Sequence, residues 1–168
     1  MKKCVIVSML CVVMWSAGFG MAPAADTGVR LGIGFQGTFP AFGLSLVADL
    51  DKSVSLQGIF GFVADLKSYS ARLLYRFDTK SYYNFYGYGQ VGIWSYSTAY
   101  AGLYVDNASE TTFACGAGVG AEYNWQAMSR DLPPVWFNIE LGFGYAKFSH
   151  VMYDVSLIDL GLGIHYRF

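Results

Sequence analysis

Four arginines and four carboxylates dominate the chemistry open to this chain: Arg30, Arg72, Arg76 and Arg167 against Asp49, Glu122, Glu140 and Asp159, with His165 beside them. Each falls on the polar phase of a segment whose alternate residues are apolar, so all are expected to project from one side of extended strands. Eight ions of balanced sign on one face suit mutual pairing, because a buried charge is tolerable when paired and hydrogen-bonded and costly alone. Counting up the strands puts Arg30, Asp49, Arg76, Asn124 and Arg167 in one low layer. Glu122 and His165 come just above it, and Arg72 near the height of Glu140. His165 is read as a structural hydrogen-bonding group rather than a metal ligand. No cofactor or metal site is implied.

The segments that carry these residues lie near 28–37, 41–50, 54–63, 69–77, 82–95, 112–125, 134–146 and 157–168. The last is representative: Leu160, Leu162, Ile164, Tyr166 and Phe168 alternate with Asp159, Gly161, Gly163, His165 and Arg167. Across the eight apolar phases no position carries a charge, an amide or an aliphatic hydroxyl. The polar phases hold the ions, several amides and twelve glycines: 32, 34, 43, 61, 92, 116, 118, 120, 142, 144, 161 and 163. A face so rich in glycine and compensating charge suits a narrow interior. The apolar faces must then meet the solvent, and that solvent is hydrocarbon.

Strands can span hydrocarbon only by closing into a barrel with no free edge. A tilted strand of about 9 to 11 residues crosses the layer, which matches the segment lengths. Aromatics gather at strand ends, where amphipathic rings favour the membrane interface. Phe168, Tyr166, Trp125, Tyr123, Phe137, Tyr75, Phe77 and Tyr83 are expected to form one girdle. Phe35, Phe42, Phe62, Tyr69, Phe113 and Tyr145 are expected to form the other. The predicted fold is an all-β, eight-stranded, antiparallel up-and-down transmembrane barrel over residues 25–168. Turns at 51–53, 78–81 and 126–134 are expected on the periplasmic side, and loops at 38–41, 64–68, 96–111 and 147–156 outside.

Residues 1–24 read as a secretory signal peptide, with Lys2 and Lys3, an apolar run from Cys4 to Phe19, and Ala22-Pro23-Ala24 as the cleavage site. Its removal leaves nine basic residues against twelve acidic ones, which argues against a nucleic-acid partner. Cys115 is then the only cysteine, so no intramolecular disulfide forms.

The chain resembles the small outer-membrane β-barrels of Gram-negative bacteria, the OmpA-transmembrane, OmpX and OmpW-like group. The resemblance is carried by the pattern of the whole mature chain and by the residues of "GLGIHYRF". It implies an outer-membrane location, export through the periplasm, and contact with outer-membrane lipid and lipopolysaccharide. It also implies that Leu162, Ile164, Tyr166 and Phe168 form a terminal signal read by the outer-membrane assembly machinery. A structural or surface-interaction role with a closed lumen is the expectation. A narrow channel for small or apolar solutes, as in the OmpW-like proteins, is the alternative within the group.

A second alternative is a lipid A-modifying enzyme, since some small barrels carry a Ser-His-acid arrangement at their outer surface. Ser149, His150 and Asp154 lie together in the fourth outer loop, but adjacent residues on an extended chain point apart. The His-x-Ser-Asn pattern of the deacylases is also missing, so the chain is read as non-enzymatic. "GIGFQG" at 32–37 and "GAGVG" at 116–120 have the spacing of phosphate loops but no helix start behind them. The loop from Tyr96 to Thr111, with Tyr96, Tyr100, Leu103, Tyr104 and Val105, is the best candidate for contact with an extracellular partner.

Overall fold

The computed structural model describes residues 29–39, 41–63, 66–80, 82–97, 109–147 and 154–168. Eight strands follow one another: β1 (Arg30–Thr38), β2 (Ala41–Asp49), β3 (Val54–Val63), β4 (Leu66–Thr79), β5 (Tyr83–Ser97), β6 (Ser109–Asn124), β7 (Val135–Lys147) and β8 (Asp154–Arg167). Each pairs antiparallel with its sequence neighbour, and β8 returns to β1 from Gly32 opposite Arg167 to Gly37 opposite Leu162. The barrel is closed. In an up-and-down barrel the β2–β3, β4–β5 and β6–β7 turns share the end at which β1 begins and β8 finishes. The other four connections lie at the opposite, loop end.

Local chemistry accounts for the turns at the terminal end. Asp51 accepts the N–H groups of Ser53 and Val54 at 2.5 and 2.7 Å, a side-chain turn that tightens the β2–β3 hairpin. Asn124 caps a one-turn 3₁₀ helix, Trp125–Ala127, by accepting the N–H of Gln126 at 3.0 Å. That duty takes it out of the low polar layer in which its strand phase would place it. A bulge between Arg76 and Asp78 leaves Phe77 on the outside while the ladder to β5 resumes.

At the loop end several strands run further than apolar alternation predicts. β4 begins at Leu66, β5 reaches Ser97 and β6 starts at Ser109, with Lys67 opposite Ser95 and Tyr96 opposite Glu110. Backbone pairing continues there although the lipid-facing stripe has ended. Hydrophobic alternation marks where hydrocarbon stops, not where the ladder stops.

The side chains are sorted inside out relative to a water-soluble protein. Arg72 is 2% exposed and Glu140 1%, whereas Phe62 is 61% and Ile158 81% exposed. Both girdles are exposed on the outer face with one exception. Phe42 turns toward Trp94 of the interior, ring centroids 6.3 Å apart, instead of facing lipid. Its neighbour Gly43 adopts φ +136°, open in practice to glycine, and this local rotation breaks the alternation at the rim.

Candidate functional site

Two polar layers fill the lumen. The lower one, toward the terminal end, is a closed ring of four charges contributed by the even-numbered strands: Asp49 (β2), Arg76 (β4), Glu122 (β6) and Arg167 (β8). Arg76 Nη2 lies 2.8 Å from Asp49 Oδ1 and its Nε 2.6 Å from Glu122 Oε1. Arg167 Nη2 lies 2.5 Å from Glu122 Oε2, and its Nε 3.7 Å from Asp49 Oδ2. Ser55 and Asn84 donate to the two carboxylates at 2.5 and 2.8 Å, and the Arg167 guanidinium sits 4.7 Å over the Trp136 ring. Because even strands run parallel to one another, side chains at matching heights converge on the axis. Signs alternate round the ring, so every ion has an opposite on each side.

The upper layer centres on Glu140. Its Oε2 accepts from Arg72 Nη2 at 2.7 Å, Thr38 Oγ1 at 2.6 Å and Gln36 Nε2 at 3.1 Å. Its Oε1 accepts from the Tyr86 hydroxyl at 2.6 Å and Asn138 Nδ2 at 3.1 Å. Arg72 also donates to Gln57 Oε1 at 3.1 Å and stacks 3.9 Å from the Tyr88 ring centroid. Five donors on one carboxylate are what a fully desolvated charge requires.

Two predicted members of the network lie elsewhere. Arg30 is exposed at the rim, although it stands in register with Asp49. It is the first residue of β1, and Arg76 and Arg167 already occupy Asp49. Asp159 is half-buried and accepts the backbone N–H of Phe39 instead of pairing with an arginine, since Glu140 and Gln57 engage Arg72.

His165 Nε2 lies 2.9 Å from Ser45 Oγ, the spacing of a base and a nucleophile. Gln57 Nε2 is 3.2 Å from the same nitrogen and 2.8 Å from the same hydroxyl, and Ser45 is fully buried, so the pair is closed off from substrate. On β8, Leu162, Ile164, Tyr166 and Phe168 are exposed on the outer face. Tyr96 extends β5, while Tyr100, Leu103, Tyr104 and Val105 lie outside the described residues, as do Ser149 and His150. The backbone of Asp154 opens β8.

Tyr86 and Tyr88 belong to the site and carry no obvious sequence mark, since the outer face of β5 is aromatic too. The signal that could have found them is the glycines across the ladder. A Cβ on Gly120 would stand 2.5 Å from Tyr86 Cζ, and one on Gly118 2.7 Å from the Tyr88 hydroxyl.

Among solved structures the chain is similar to Neisserial surface protein A (NspA), at 17% identity and a TM-score of 0.51, covering 83% of this chain and 94% of that one. The fold is that of the small eight-stranded outer-membrane barrels. Further similarities are to Ail, the attachment invasion locus protein of Yersinia pestis. In complex with the heparin analogue sucrose octasulfate, Ail is 18% identical with a TM-score of 0.48, over 83% of this chain and 97% of that one. In a phospholipid bilayer nanodisc it is 18% identical with a TM-score of 0.42, over 85% and 100%. No protein-family model matches the chain, and no curated protein matches it. With its ladder closed and its apolar face turned outward, the barrel spans the outer membrane, its lumen lined by the two polar layers.

Proposed function

We propose that the protein is a non-enzymatic outer-membrane barrel of the bacterial surface with a closed lumen, which meets an extracellular partner through the loop at 96–111. The observation that carries the closed lumen is the mutual engagement of its ions. Arg72 pairs with Glu140, and Arg76 and Arg167 pair with Asp49 and Glu122, so these six charges engage one another instead of a solute. The long β5 and β6 support the surface role, since they carry the 96–111 loop past the outer girdle. In this reading a signal peptide ends at Ala24, and the outward stripe of β8 engages the assembly machinery during insertion.

Purified protein in planar bilayers tests the lumen: the expected trace is silent, and large, steady single-channel conductance overturns the reading. Replacing residues 98–108 with a short Gly-Ser linker tests the surface role. Loss of cell-surface binding with unchanged migration of the unboiled protein on gels is expected. Lipid A that differs in mass between cells with and without the protein would overturn the non-enzymatic assignment.

A further inference from the structure

The lipid-facing surface is not even. Toward the terminal end three rings stand in register on the outer face of neighbouring strands: Tyr83 on β5, Tyr123 on β6 and Phe137 on β7. The next outward row is Ala121, Ile139 and Leu162, likewise in register across β6, β7 and β8. An alanine set among rings and branched side chains leaves a step, and these six residues line a groove of about 310 Å³. Glu122 and Asn138 border it although their side chains are engaged in the lumen, so its floor is strand backbone.

That volume lies at the low end of the roughly 300–1,000 Å³ of small-molecule sites. The groove is continuous with the surface that lies in lipid, so its occupant is a hydrocarbon chain. Leaving water gives such a chain no advantage, because bulk lipid is as apolar as the groove. What the groove adds is packing. A methylene chain between the two rows meets protein on both sides and below, against one side on the open surface, and dispersion contacts accumulate atom by atom. At the terminal edge Tyr83 and Tyr123 supply hydroxyls of the kind that favour the membrane interface. There the N–H of Lys80 donates to the Tyr83 carbonyl at 3.0 Å, which brings an exposed lysine to the same edge. Asp78, 3.5 Å from the ammonium, is itself exposed, so the pair is open to exchange for a lipid phosphate.

We propose that the groove holds one acyl chain of a glycerophospholipid from the leaflet at the terminal end, with its phosphate toward Lys80, so that one lipid stays with the barrel while its neighbours exchange. The proposal does not depend on whether the lumen is closed.

Native mass spectrometry of the purified protein, released into detergent from nanodiscs of palmitoyl-oleoyl phosphatidylglycerol, reads the retained lipid. The parent is expected to keep one phospholipid. Ala121→Leu fills the step and is expected to lower the retained fraction several-fold. Ala117→Leu, on the outward face of the same strand but outside the groove, is expected to leave it unchanged, and Lys80→Ala to lower it by less than Ala121→Leu does. Phe137→Ala, which removes a wall, replaces Ala121→Leu if that variant lacks the unboiled gel shift. A parent that keeps no phospholipid overturns the proposal. Equal retention in Ala121→Leu and the parent overturns it as well, and shows surface lipid only. A loss in Ala117→Leu as large as in Ala121→Leu overturns the groove as the site, and unchanged retention in Lys80→Ala overturns the phosphate contact.

Discussion

The two ends of the lumen are lined by opposite chemistries. At the terminal end Asp49, Arg76, Glu122 and Arg167 form a charge ring in which direction and distance both matter. At the loop end the Phe39 ring meets Trp94 edge-on, with centroids 4.8 Å apart. Charge pairs out of water are costly to break singly, because the surviving partner stays buried. An apolar contact at a half-open rim loses only the area it covered. One end therefore loses much when a single partner is removed, and the other only the area its rings cover.

The sharpest way to break that comparison is Glu122→Ala. It leaves Arg76 and Arg167 sharing Asp49 alone, and the expected loss is at least the roughly 3 to 5 kcal/mol of one orphaned buried charge. Urea unfolding in lipid vesicles, followed by tryptophan fluorescence, measures it. Glu140→Ala should fall somewhat below, because Arg72 keeps Gln57 and the Tyr88 ring. Arg72→Ala should fall lower again, because Glu140 keeps four neutral donors. Raising salt should change none of these differences much, since buried pairs are poorly screened. A strong salt dependence would mean that the ring is wet.

Apolar alternation made the barrel legible, and with it the strand number, the phase and most of the inward charges, Arg30 excepted. What alternation could not supply was who binds whom. It defines register only to the nearest two residues, and a lumen contact depends on register summed over several strands. Arg30 and Asp49 illustrate the gap: they are opposite in the ladder, and yet Asp49 is held by arginines from β4 and β8. Asp159 shows another, since its partner is a backbone N–H that no side-chain pattern reveals. Phe42 was misplaced because one glycine in an unusual conformation outweighed the alternation around it.

The glycines that seat Tyr86 and Tyr88 offer a middle-sized test, midway between the charged and the apolar ends. Gly120→Ala puts a methyl group against the Tyr86 ring, whose hydroxyl holds Glu140. A loss of about 1 to 3 kcal/mol is expected in the same unfolding assay, as for other overpacked interiors. Gly89→Ala is its control. It lies on the lipid face with nothing within 4 Å of the added carbon, so it should be neutral or slightly stabilising.

Arg30→Ala is the smallest expected effect and the strictest test of where the ring ends. Charge counting alone would make Arg30 a fifth member, and its removal would then weaken Asp49 as removal of Arg76 does. The geometry gives Asp49 two arginines and the Ser55 hydroxyl, while Arg30 stands exposed at the rim. The urea midpoint of Arg30→Ala should therefore match the parent within error, whereas Arg167→Ala should lower it clearly. Equal losses from the two would draw Arg30 into the ring, and would mean that the rim at β1 closes more tightly against β8 than its ladder, which begins at Gly32, indicates.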